Sequence, residues 1–574
     1  MRRFIVLFLA LGAVAVSVPG CSGDSNWPES PNFGPDFPGN GGGSSSGTGG
    51  SGTSVSASDN TDVYSDSDDD ISGTSFDRTI TVTFASGGAS VSGDTGGIVT
   101  VKGNEVTANN TTDEKIIYVL KGSASDGFFK LYSGKKQAIK LSGLSLANNS
   151  GAAINNQSGK RTFVVVEGTN VISDGPSYSD EVEGEDMKAA FFSEGQLIFS
   201  GSGSLSVTAE GKAGITSDDY IRFMDSKTTV KVSSSAGHAI RGKDAIIVSA
   251  GNIEASTSGD MKKAFSSDSL VQFDGGETIL KVTGSAAYDK DEKDVTGTAG
   301  IKADKVFVMN DGSLTITNSG AGGKGISCDG AAYFKGGTVS VTTTGSTYKE
   351  YSTAISYPKG IKVDGDLVIS GGDITVKCSS SEGIESKRAI SITGGNVYSS
   401  ASDDAINSKY NLVIDGGVVY GHSTGNDGID ANNNLIINGG IVIAEGAQGA
   451  EAGIDAAERY NVEINGGTVI SIGGRNDGIS SVKQPCISTS AGHDKWVAVF
   501  DGSTLIFAYK TPSSGGSTFI ASSPSFKNGT SYTFKTDVSV TGKKGYYDIF
   551  YTEATISGGS SSTLKASTSL SGGK

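Results

Sequence analysis

Hydrophobic positions after residue 116 recur with a long period and a short one. A small residue followed by an apolar one, most often Gly-Ile or Ala-Ile, falls at Ile154, Phe191, Ile215, Ile240, Phe265, Ile301, Ile326, Ile361, Ile384, Ile406, Ile429, Ile454 and Ile479. Nine of the twelve intervals between these anchors are 22 to 25 residues, and the other three exceed one period by 10 to 14 residues. Within each unit apolar and polar residues alternate with period two, as in Leu412-Val413-Ile414-Asp415-Gly416-Gly417 and Leu435-Ile436-Ile437-Asn438-Gly439-Gly440. Alternation of this kind places successive side chains on opposite faces of a strand. The paired glycines supply the positive φ that a turn between short strands needs. Three strands in so short a unit cannot bury a core alone, but stacked units can bury one another's apolar faces. The pattern predicts an all-β, right-handed parallel β-helix of about 13 or more rungs, since a propeller blade needs about 40 residues. Alternating runs at 79–84 and 139–146 read as initial coils and a cap. The strands expected at Trp496–Phe500, Leu505–Tyr509 and Tyr532–Phe534 close the other end, where an open edge would invite aggregation.

The N-terminal pattern is different. Arg2 and Arg3 precede an apolar run ending in Val18-Pro19-Gly20-Cys21, which reads as a lipoprotein signal that leaves a lipid on Cys21. The Gly/Ser/Asp-rich stretch that follows has too few apolar residues to fold and reads as a disordered tether. The domain reading is therefore 1–20 signal peptide, 21–75 tether, 76–485 β-helix with the ligand-binding role, and 486–574 C-terminal cap. It places a monomer at the cell envelope, on the surface or periplasmic face, touching the membrane only through its lipid.

Composition narrows the partners. With 84 glycines, 10 prolines and 19% charged residues in 574, the chain is neither collagen-like nor wholly disordered. A net charge of −16 repels phosphate backbones, so nucleic acid is excluded as a partner. Four cysteines and three histidines, with no CxxC or HExxH spacing, make neither a disulfide scaffold nor a zinc site. Cys328 falls on the inward side of its strand and reads as a small buried hydrophobe.

The repeat lets outward positions be read as columns. Two residues before the anchor stand His238, Lys263, Ala299, Lys324, Lys359, Glu382, Asp404, Asp427, Ala452 and Asp477. One residue after it stand Arg241, Ser266, Lys302, Ser327, Lys362, Glu385, Asn407, Asp430, Asp455 and Ser480. A basic middle thus gives way to an acidic C-terminal half. Carboxylates stacked one rung apart repel by about 3–4 kcal/mol at an effective dielectric of about 20, so a cation between them is expected. Oxygen donors without His or Cys favour Ca²⁺, with Glu382, Glu385, Asp403, Asp404, Asp427, Asp430, Glu451, Asp455 and Asp477 as candidate ligands. Solvated Asx turns are the alternative reading of the same residues. The three insertions all precede an anchor and should leave one corner of the stack; they carry Tyr178, then Tyr288, then Tyr348, Tyr351 and Tyr357. Tyrosines can stack on sugar faces, and Arg241, Lys263, Lys302, Lys324, Lys359 and Lys362 can pair with carboxylates along a chain. No catalytic fingerprint stands in a suitable context, and Asp403-Asp404 reads as one rung of the ladder rather than a glycosidase pair.

These residues bring a resemblance into view. Ile172-Ser173-Asp174-Gly175 with Tyr178, Lys188-Ala189-Ala190-Phe191, the repeated Lys-Gly-Ile and Asp-Gly-Ile units, and Ser522-Ser523-Pro524 followed by Asn528-Gly529-Thr530-Ser531-Tyr532 make the chain similar to a family of secreted parallel β-helix proteins. That family comes from carbohydrate-degrading bacteria, is carbohydrate-binding, and was first described from a cellulolytic clostridium. The resemblance covers roughly residues 76 to 550. It implies affinity for acidic plant polysaccharide, polygalacturonate or a pectin-like polymer, with bound calcium. The architecture also resembles that of pectate lyases, and fold alone does not separate binder from enzyme. The expectation is a non-catalytic, calcium-assisted binder. Its alternatives are a pectate lyase or polygalacturonase-type enzyme, for which Lys359 and Lys362 beside Glu382 and Glu385 are the candidate centre, and a structural or adhesive surface protein.

Overall fold

The computed structural model describes residues 67–179, 182–475, 479 and 481–569, all within one compact unit, Gly52–Lys574. Among them the only helical pieces are two 3₁₀ turns, Ser67–Asp69 and Ile71–Gly73. The signal sequence, Cys21, the tether up to residue 66 and Asp477 lie outside the described residues.

Each repeat supplies three strands, as in Ile406–Ser408, Leu412–Ile414 and Val418–Ser423. Equivalent strands of successive repeats pair in parallel and in register, so the chain winds as a parallel β-solenoid. Anchor pairs with anchor from Ile154 to Ile454, as in Ile384 with Ile406, Ile406 with Ile429 and Ile429 with Ile454. The anchor strands form one 15-stranded sheet, and the strands of the other two sides belong to a second, larger sheet. Repeat period sets this register, because a slip of one residue would turn every apolar side chain outward.

The glycine pairs act in two ways. Gly417 has φ +83° and turns the chain between strands, whereas a Cβ on Gly416 would sit 2.7 Å from the Thr393 carbonyl oxygen of the preceding coil. One glycine provides the backbone sign and the other the close approach of stacked coils. Inside, buried Ile, Leu and Val from the three sides meet in one continuous core, and its middle turns carry a run of rings. Phe273 lies 6.1 Å from Phe307, and Phe307 lies 5.2 Å from Phe334. Cys328 is fully buried in this core, as expected from its inward position.

Both ends differ from the bare stack. The sequence reading ended the tether at residue 75, but residues 67–76 are docked against the solenoid. Ile71 and Phe76 pack on an apolar patch that includes Phe163, Ile198 and Ile247, with the Phe76 and Phe163 rings 6.2 Å apart. Asp69 is buried with them and is held by Arg161 Nε at 2.8 Å, Arg222 Nη1 at 2.7 Å and the Tyr220 hydroxyl at 2.6 Å. Removing one partner of a buried ion pair leaves the others desolvated and uncompensated. Asp69→Ala is therefore expected to release residues 67–76 as a local opening, read as loss of hydrogen-exchange protection there with protection of the anchor sheet unchanged. Equal protection in the variant would show that Asp69 does not fasten the strap.

At the C-terminal end, Thr518–Ser522 runs antiparallel to both Thr468–Gly473 and Ser481–Ser490 and covers the edge of the former. Trp496–Asp501, Thr504–Lys510, Ser531–Tyr546 and Phe550–Lys565 close into a four-stranded barrel, which the sequence reading had as a set of capping strands. A buried carboxylate joins barrel to solenoid: Glu445 accepts hydrogen bonds from Tyr420 (2.8 Å) on the solenoid and Tyr509 (2.6 Å) on the barrel, and pairs with His422 Nδ1 at 2.6 Å.

Candidate functional site: the outer face of the anchor sheet

Pairing in the anchor sheet carries one outward column across fourteen strands. From the N-terminal side it reads Thr107, Lys130, Asn155, Phe192, Thr216, Arg241, Ser266, Lys302, Ser327, Lys362, Glu385, Asn407, Asp430 and Asp455. At about 4.8 Å per strand this face runs for about 60 Å. The sequence reading began the column at Arg241; its first five members extend it, and Phe192 there looks apolar enough to hide the register.

The expected cations are on this face, but most are neutralised within the protein. Arg241 Nη2 lies 2.9 and 2.8 Å from the two oxygens of Asp268. Lys302 pairs with Asp304 at 2.8 Å and also with Asp329, and Lys362 pairs with Asp364 at 2.7 Å. The acids stand three residues after an anchor, on the same side as the residue one after it, so each reaches a cation on its own or the preceding strand. Lys359 is buried between Glu382 and Glu385, 2.6 Å from each. Despite burial, these two carboxylates hold its ammonium above the ordinary lysine range, and Lys359 and Ser381 together hold Glu382 below the usual carboxylate range. Lys387 also pairs with Glu385. The charges of Glu382 and Glu385, expected to face a metal, are thus taken by lysines.

Lys263 and Lys324 differ. Neither has a carboxylate within 4.0 Å among the described residues; Lys263 Nζ donates to the Met261 carbonyl (2.9 Å), and Lys324 Nζ to the Gly322 carbonyl (3.0 Å) and Ser356 Oγ (2.5 Å). Burial, then the neighbouring lysines, pushes both amines down to about 8.

In the acidic half two carboxylates are buried rather than solvated in turns, Asp404 at 5% and Asp427 at 7% exposure, whereas Asp403, Asp430, Glu451 and Asp455 are half-buried. Asp404 accepts the Asp427 backbone N–H at 3.1 Å and Asn407 Nδ2 at 2.8 Å, and Asp403 accepts Asn426 Nδ2 at 2.9 Å. Burial drives Asp404 well above its ordinary range, reinforced by Asp430, Asp427 and Asp403. Asp427 is pushed up to about 8 and Asp430 to about 7, first by burial and then by neighbouring acids, Asp455 chief among them. Asp427, Asp430 and Asp455 each bring a carboxylate oxygen within 4.8 Å of the others. Glu451 stands beside this cluster, its backbone carbonyl accepting the N–H groups of Gly474 and Arg475. A second carboxylate group, Asp186, Glu194 and Asp218, lies on the same face near its N-terminal half with Lys188 Nζ 2.5 Å from both aspartates. It escaped the repeat pattern because Asp186 comes from the first insertion.

The insertions supply rings at one margin. Tyr288, in a hairpin of Ala287–Asp289 with Asp294–Thr296, meets Tyr351 of the third insertion with ring centroids 5.6 Å apart. Tyr351 is 57% and Tyr357 50% exposed, and the Tyr348 hydroxyl donates to Glu350 at 2.7 Å. Ser356, also in the third insertion, covers Lys324. Tyr178 is not available as an open platform: its hydroxyl donates to Asp174 at 2.7 Å and Lys212 Nζ sits 4.7 Å over its ring.

The fold and this face together define a parallel β-solenoid with one long polar side and tyrosines at its margin. Residues 102–263 and 319–405, both inside the solenoid, match the family described as carbohydrate-binding domain-containing protein. The resemblance read from the sequence is thereby supported over those segments. A solved structure, the polysaccharide lyase-like protein from C. thermocellum as a gadolinium derivative, aligns at 20% identity over 44% of this chain and 96% of its own, with a TM-score of 0.36. No curated protein matches the chain.

Proposed function

We propose that the outer face of the anchor sheet binds an acidic polysaccharide of the polygalacturonate or pectin type, laid along the stack, and does so without cleaving it. The observation that carries this reading is the outward column itself, in register over fourteen strands, with cations in its middle, most of them already paired with aspartates, and the half-buried acids Asp430 and Asp455 at its C-terminal end. Tyr288, Tyr348, Tyr351 and Tyr357 line the margin where sugar rings would stack. Asp427, Asp430 and Asp455 are an all-oxygen donor set that fits Ca²⁺, which takes 6–8 oxygen ligands, so three carboxylates leave positions for backbone oxygens, water and a uronate carboxylate. In this reading Asp403 and Asp404 are satisfied by amide donors and support the cluster. With Cys21 lipidated, the solenoid would stand as a monomer at the cell envelope and meet polymer outside the cell.

Lys263 and Lys324 favour a second reading. An amine pushed down to about 8 is poised to accept a proton near neutral pH, as a lyase base must. Incubating the protein with polygalacturonate, with calcium or with chelator, separates the two. The binder is retained on the polymer in calcium and releases no unsaturated or reducing ends. Appearance of unsaturated ends, abolished by Lys324→Met or Lys263→Met, would replace the binder with a lyase.

A further inference from the structure

Seven turns from the acidic cluster, about 34 Å along the face, a cleft of about 380 Å³ opens over the strands of Thr216 and Arg241. Its volume lies in the range of small-molecule sites. In a chain of net charge −16 its lining is cationic: Lys188, Lys212, Arg241, Lys243 and Lys262 against Asp218. Some of these are committed elsewhere. Lys188 pairs with Asp186 and Asp218, and Lys212 donates to the Met187 carbonyl at 2.9 Å. Lys243 and Lys262 have no carboxylate within 4.0 Å among the described residues, and Asp268 holds Arg241 in place from one side.

Two further groups make the cleft a built site. Thr216 lies in its floor, 1% exposed, and its Oγ1 has no hydrogen-bond partner among the described residues. A buried hydroxyl without a protein partner is left for a water or a ligand to satisfy. His238 lines the same cleft, and its Nδ1 accepts the Lys263 backbone N–H at 3.0 Å. That bond places the ring proton on Nε2, so the imidazole is a neutral N–H donor.

We propose that this cleft is a subsite for an oxyanion carried on a sugar, a uronate carboxylate or a sulfate ester, held by Thr216, His238, Arg241, Lys243 and Lys262. The inference rests on the reading of this face as polysaccharide-binding, but the cleft needs no metal, and that separates its test from the calcium proposal. Two sources of the anion are possible, and both are probed. In chelator, titrating the full chain with trigalacturonate and with a sulfated galactan oligosaccharide of similar length measures metal-independent binding, which the cleft variants assign to the cleft. Wild type is expected to bind at least one of them, and a neutral oligosaccharide of equal length at least tenfold more weakly. Thr216→Val, which keeps shape, should weaken binding about fivefold, and Lys243→Gln with Lys262→Gln tenfold or more, with melting temperatures unchanged. Binding of the sulfated probe alone would keep the cleft and overturn the uronate in the proposed function. Chelator-resistant binding in the absence of any calcium-dependent retention would keep the cleft and overturn the calcium site. No binding of either anionic probe by wild type, or equal binding by the variants, would overturn the cleft.

Discussion

In metal-free buffer the protein should lose stability as pH rises from 6.5 to 8, and calcium should reverse the loss. Asp427 and Asp430 have folded-state values of about 8 and about 7 against an ordinary 3.8, and Asp404 is raised as well. A raised carboxylate binds its proton more tightly in the folded state. Between the unfolded and folded values the native state therefore holds more protons, and stability falls as pH rises through that interval. His238 acts oppositely: pushed down to about 3 by burial and by Lys263, Lys262 and Arg241, it adds stability with rising pH only up to about 6.5. Lys263 and Lys324, lowered to about 8, add stability with rising pH only between about 8 and 10.5. The interval from 6.5 to 8 thus belongs to the aspartates. Asp427 alone amounts to about 2 kcal/mol across it, at about 1.4 kcal/mol per unit. Calcium requires the ionised carboxylates, so its effect should grow with pH and reach about 2.7 kcal/mol at a hundredfold excess over its dissociation constant. Asp427→Asn keeps an oxygen for the Ala452 N–H and removes the charge. It should melt above wild type at pH 8 in chelator and gain nothing from calcium. A melting curve flat from pH 6.5 to 8, with or without calcium, would remove the cation from this cluster.

Much of this arrangement could be read from spacing. The anchors, the three strands per turn and the columns beside each anchor follow from a period that leaves few registers open, and Arg241, Lys302, Lys362, Glu385, Asp430 and Asp455 do fall in one column. What the columns did not disclose was their burial. A residue outward from the core can still be covered by the turns of neighbouring coils, and Glu385 and Asp404, at 4% and 5% exposure, are covered in this way. Pairing was legible but unread. Asp268, Asp304, Asp329 and Asp364 recur three residues after their anchors, and alternation alone puts them beside the basic column. The strap at 67–76 gave a weaker signal, two apolar residues in a polar tract, because its partners Arg161 and Arg222 are about 90 and 150 residues away and belong to no local motif. The insertions carry no period at all, so the contact between Tyr288 and Tyr351 and the placement of Asp186 depend on tertiary structure.

Replacing Lys359 should cost the fold more than any other single change on this face, and should leave recognition of the polymer intact once the fold is restored. Its ammonium is buried between Glu382 and Glu385, which stand on the next coil and lose their compensating charge together when it is removed. Breaking a buried ion pair from one side destabilises by about 3–5 kcal/mol, whereas replacing every partner with neutral groups of similar shape is often close to neutral. Lys359→Met alone should therefore melt well below wild type, and Lys359→Met with Glu382→Gln and Glu385→Gln should recover most of the loss. The recovered triple variant then asks a question that the single variant cannot. A lysine held above its ordinary range by two carboxylates is a poor proton acceptor, so Lys359 is badly placed to act as a lyase base, and its ammonium is already paired with Glu382 and Glu385. Retention of polygalacturonate in calcium by the triple variant should equal that of wild type. A variant that melts like wild type yet no longer holds the polymer would show that Lys359 leaves its carboxylates to meet the ligand, and would move the centre of the binding face to this coil.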